Sequence, residues 1–128
     1  MIYPRITRID TNCFNTWRET HGPIASHIPP LVRYEQNHLA LKKGLKELGL
    51  QITSEPGHQL WQLNAVGVPA GVDEATVRKQ LLTEYNIEIG AGLGPLKGKI
   101  WRIGLMGETS SPENVATVLK ALRTILKR

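Results

Sequence analysis

The chain has 128 residues, 41% of them hydrophobic and 21% charged, and a net charge of +5 at pH 7. That length suits one ordinary domain with its own core and is short for two, and no apolar run approaches the roughly eighteen residues of a membrane span. The basic excess is scattered, with no run of five like charges, so it does not point to nucleic acid.

Cys13 is the only cysteine, which leaves no internal disulfide or cysteine-based metal cluster and fits a reducing, cytoplasmic compartment. The opening MIYPRITRID lacks the apolar stretch of a secretory leader, so none is expected. Residues 1–33 contain Pro4, Pro23, Pro29 and Pro30 and hold neither the helical nor the strand period, so they are expected to be irregular or disordered. From Tyr34 the texture changes. Tyr34, His38, Leu41, Leu45 and Leu48 form the stripe of an amphipathic helix that Gly49 ends, with Leu50 folding back onto the last turn. Gly44 inside it costs about 1 kcal/mol relative to alanine. His38 on this stripe reads as a core histidine, and His21, His27, His38 and His58 show no metal-ligand spacing, so no metal site is expected.

Leu50 to Thr53 is a candidate short strand before the turn Ser54-Glu55-Pro56-Gly57, and Trp61 to Val68 alternates as a strand closed by Pro69. Asp73 is a helix N-cap for Glu74 to Glu84, whose inward stripe is Val77, Leu81 and Tyr85. Asn86 to Ile89 reads as a short strand, and Lys99 to Met106 as the central one. Ser111-Pro112-Glu113 opens a last helix with Val115, Val118, Leu119, Leu122 and Leu126 inward. The sum is one α/β domain over 34–128, of the two-layer α+β kind, with helices packed on one face of a small mixed or antiparallel sheet.

Within the central strand, Ile100, Arg102, Gly104 and Met106 share one side while Trp101, Ile103 and Leu105 share the other. Arg102 interrupts an otherwise apolar or side-chain-free face, and Gly104 beside it is the kind of residue found where a ligand or another chain comes close. The glycine-rich turn before it, Gly90 to Gly98, is not a phosphate loop. Three residues separate Gly94 from Gly98, Lys99 is followed by Ile100, and the turn leads into a strand, so no helix N-terminus awaits a phosphate. No serine, cysteine and histidine arrangement has a nucleophile's local frame, and Trp101 stands alone where an RNA-binding sheet would stack bases on several aromatics.

The stretch NIEIGAGLGPLKGKIWRIGLMG, followed by SPENV, resembles the C-terminal domain of class V pyridoxal-phosphate aminotransferases of the alanine–glyoxylate and serine–glyoxylate kind. NHLALKKGLKELGL and VGVPAGVDEATVRKQLLTEY resemble the segments preceding it, so the likeness runs over about residues 34–128. It implies that Arg102 binds the substrate α-carboxylate and that the family cofactor is pyridoxal phosphate. In the family a large domain supplies the cofactor lysine, and none of Lys42, Lys43, Lys46, Lys79, Lys97, Lys99, Lys120 and Lys127 matches that lysine's motif. The chain is therefore expected to hold no catalytic residue, to bind no cofactor alone and to be inactive alone, and the expected partners are a large-domain aminotransferase chain or a second copy in a homodimer. A truncated or frame-shifted gene product is the expectation for its origin. The alternative is a free-standing small ligand-binding or protein-interaction module.

Overall fold

The computed structural model describes residues 30–128, and the readings for Cys13, His21, His27 and the rest of residues 1–29 lie outside it. Helix α1 spans Pro30–Glu47, strand β1 Leu63–Gly67, helix α2 Glu74–Tyr85, strand β2 Gly90–Ala91, strand β3 Ile100–Gly104 and helix α3 Pro112–Leu126. The strands form one antiparallel sheet in the order β1-β3-β2. With its three helices this is the two-layer α/β arrangement that the sequence predicts, and the sheet is the antiparallel alternative.

Three helix ends match their sequence signals closely. Gly49 sits at φ +70, where a glycine carries no steric penalty, and the Leu50 N–H bonds back to the Leu45 carbonyl at 2.8 Å, which closes α1. Asp73 caps α2 by accepting the Thr76 N–H at 3.0 Å, and Ser111 caps α3 by accepting the Asn114 N–H at 3.1 Å, with Pro112 at the first helical position.

Other boundaries move. Helix α1 begins at Pro30 instead of Tyr34, because proline is well placed in a first turn whose N–H groups have no intrahelical partner. That turn is also tied down, since Arg33 Nη2 donates to the Gly107 carbonyl and the Gly107 N–H donates to the Tyr34 hydroxyl, each at 3.1 Å. The strand expected at Asn86 to Ile89 lies instead at Gly90–Ala91. Asn86 takes the left-handed conformation, φ 55, and the Ile87 N–H closes α2 on the Leu81 carbonyl, so pairing with β3 starts only beyond it. Gln51 to Thr53 reaches β1 through a single bridge, Ile52 to Val66, and stays too short to be a strand of its own.

The core lies between the helices and one face of the sheet. Leu41, Leu45, Val66, Leu81, Trp101, Ile103, Leu105, Val118 and Leu122 are all fully enclosed there. Ala121 also belongs to this core although the inward stripe did not include it, while Leu119 and Leu126 only flank it. Helices α1 and α3 run side by side in the same direction, for Asn37 near the start of α1 bonds to Ser110 just before α3, and the Arg128 side chain reaches the Leu48 carbonyl at the far end. Gly44 lets them approach closely. A Cβ there would collide with the Leu119 side chain, so the glycine's weak helix propensity is offset by inter-helix packing.

A buried polar chain crosses the core. His38 Nδ1 lies 2.7 Å from Asn64 Oδ1, and Asn64 Nδ2 donates to the Ile103 carbonyl at 3.3 Å. His38 is thus the buried core histidine that its helical spacing suggests.

Candidate functional site

Register decides what surrounds Arg102. Across the ladders Arg102 faces Ala65 on β1 and Gly90 on β2, while Trp101 faces Val66 and Ala91. Cross-strand partners project to the same side, so Arg102 shares its face with Ala65, Gly90, Ile100, Gly104 and Leu63. The other face carries Trp101, Ile103, Asn64 and Val66, all buried against the helices. Arg102 is therefore at the centre of the sheet side that faces away from the described helices. Its neighbours on that face are Ala65 and Gly90 across the ladders and Ile100 and Gly104 along the strand.

The guanidinium does not project straight off the strand. Its Nε–H donates to the Ala91 carbonyl at 2.6 Å, and the group is half-buried. Trp101, one residue earlier, points the opposite way and donates its indole N–H to the Glu74 carbonyl at 3.3 Å, which fixes β3 against the start of α2. A strand locked on one face through Trp101 and Ile103 holds Arg102 on the other at a defined height. A planar guanidinium so held can take a carboxylate through two parallel hydrogen bonds.

The glycine-rich segment makes the connection from β2 to β3, with a single 3-10 turn at Gly94–Leu96 and no α-helix start. Gly92 is obligatory there, because a Cβ would collide with the Leu96 carbonyl. This agrees with the rejection of a phosphate loop. Among the described residues no three His, Cys, Asp or Glu side chains gather as metal ligands, and no helix is long and apolar enough to cross a membrane.

The eight lysines all lie in the described part of the chain, and all are exposed. A lysine that forms an imine needs a site that depresses its pKa by desolvation or a neighbouring cation. Lys79, with Arg78 and Glu88, borders a shallow depression of about 230 Å³ along α2, but no aromatic or aspartate there could stack on or pair with a pyridine ring. That depression does not fit pyridoxal phosphate. The sequence singled out Arg102, and the structure adds Gly90 and the Ala91 carbonyl as its contacts. Neither was legible beforehand, since β2 was expected a few residues earlier and only register brings Gly90 opposite Arg102.

No protein-family model matches the chain. Curated relatives do. It is 40% identical over 96 residues to the (S)-ureidoglycine–glyoxylate transaminase of Bacillus subtilis, covering 75% of this chain and 23% of that one. It is 36% identical over 96 residues to the alanine–glyoxylate aminotransferase of Drosophila melanogaster, covering 74% and 24%. Among solved structures, the alanine–glyoxylate aminotransferase of Nostoc sp. superimposes with a TM-score of 0.72 at 42% identity, covering 73% of this chain and 25% of that one. The chain thus spans about a quarter of the length of the relatives it matches.

Proposed function

Over about three quarters of its length this chain is a member of the class V pyridoxal-phosphate aminotransferase family, and on that footing we propose that residues 34–128 act as the small domain of an amino-group transferase, with Arg102 binding the substrate α-carboxylate. Pyridoxal phosphate is the electron sink of such chemistry, and a large domain holds it, because every lysine here is exposed. The chain contributes substrate recognition and depends on that domain, as a docked partner, for transfer. Alanine or serine as donor and glyoxylate as acceptor are the substrates this reading favours.

The observation that carries it is the position of Arg102 at the centre of the sheet face turned away from the described helices, anchored to the Ala91 carbonyl with Ala65, Gly90 and Gly104 beside it. A charge-assisted, bidentate carboxylate contact contributes about 1.5–3 kcal/mol per hydrogen bond. Lysine keeps the charge and loses the fork. With a large domain supplied as partner or fusion, Arg102→Lys should raise KM for the amino donor at least about tenfold, equivalent to roughly 1.4 kcal/mol, while pyridoxal phosphate affinity holds. An unchanged KM would remove the assignment.

A further inference from the structure

Building on the carboxylate reading of Arg102, we propose that Gly90 is a positioning residue for that arginine, acting together with the carbonyl of its neighbour Ala91. Gly90 and Arg102 are register partners, so a side chain at residue 90 would rise beside the arginine. A Cβ placed there falls 3.2 Å from Arg102 Nη2, 3.3 Å from Nε and 3.4 Å from Cβ. Those separations are inside the roughly 3.5–4.0 Å of a comfortable carbon contact. The guanidinium occupies the room that a side chain would take.

Gly90 has no backbone reason to be glycine. It is absent from the positive-φ residues of the described chain, and glycine within a strand weakens it. Gly92 differs, because the fold itself leaves no space for a Cβ there. What glycine provides at residue 90 is clearance, and what Ala91 provides is direction, through its carbonyl's 2.6 Å bond from Nε. Together they hold the guanidinium against β2. An arginine so oriented loses less freedom when a carboxylate arrives, which is how preorganisation raises affinity.

The test uses the full chain, labelled with nitrogen-15. The Arg102 Nε–Hε signal is assigned by its loss in Arg102→Lys, and its solvent exchange is compared with that of exposed Arg123. It should exchange at least about tenfold more slowly, the mark of a closed hydrogen bond. Gly90→Val should abolish that protection and the milder Gly90→Ala should reduce it, while the backbone amides of β3 keep theirs. L-alanine, against L-alaninamide at matched ionic strength, should shift the Arg102 side-chain signals, and both Gly90 variants should weaken that response about threefold or more.

If Hε stays protected in both variants, the positioning role is overturned and the carboxylate reading stands. Loss of protection in the β3 amides alongside Hε makes Gly90 a residue of the fold and also overturns the role. If L-alanine acts no differently from L-alaninamide on the unsubstituted chain, the carboxylate reading fails, and the role of Gly90 fails with it.

Discussion

Asn64 shows how one residue can join two layers. Its side-chain Oδ1 accepts from His38 Nδ1 on α1, the tautomer with the proton on Nδ1, and its Nδ2 donates to the Ile103 carbonyl. Both side chains are at most 3% exposed, so neither can turn to water. Asn64→Leu keeps the volume and orphans the His38 nitrogen, which should destabilise the chain by about 1–3 kcal/mol in urea unfolding. Adding His38→Leu should return part of that loss, because removing both partners leaves no buried polar group unmatched. If the double variant is no better than Asn64→Leu alone, the pair contributes packing and not hydrogen bonding. Arg102 differs in place, lying on the opposite sheet face, where the proposed carboxylate contact would form.

Helix α2 illustrates what a cap does at the level of an element. It has few inward residues, with Val77 and Leu81 buried and Tyr85 partly so, and it starts on Asp73. The Thr76 hydroxyl and then the Thr76 N–H, both donating to the Asp73 carboxylate, hold its pKa below the ordinary aspartate range. A carboxyl whose folded pKa is depressed adds stability that is fully present above its unfolded pKa, about 3.9, and is lost as the pH falls through the lower folded value. The stability gap between the unsubstituted chain and Asp73→Ala should therefore be widest near neutrality. It should narrow below about pH 4, as followed by urea unfolding at several pH values. A gap that stays constant down to strong acid would show that charge has no part in the cap.

For the whole molecule the deciding contact is between parallel helices α1 and α3. Gly44→Ala is expected from helix propensity alone to stabilise by about 0.8–1 kcal/mol. Here the added methyl meets the Leu119 side chain, and overpacking of that kind costs about 1–3 kcal/mol. Packing outweighs propensity, so Gly44→Ala should lower the melting temperature, and Leu119→Ala should rescue it in combination. A rise in melting temperature for Gly44→Ala alone would mean that the partly buried Leu119 side chain moves aside without penalty. Among the described residues the same layer of helices covers the sheet side that carries Trp101 and Ile103, opposite the side of Arg102.

The sequence alone determined the helices, their caps and the alternation of β3, because these are local: a stripe at helical spacing, a glycine after the last turn and a serine before a proline each act within a few residues. It also placed Arg102 and Trp101 on opposite faces, since a strand's period needs no partner. The tertiary structure decided what lies beside them. The place of β2 at Gly90–Ala91, the single bridge from Ile52, the reason for Gly44 and the seat of Arg102 all depend on register and on helix–helix distance. Those are set by the joint packing of residues up to 80 apart in the chain, and no local window contains both partners.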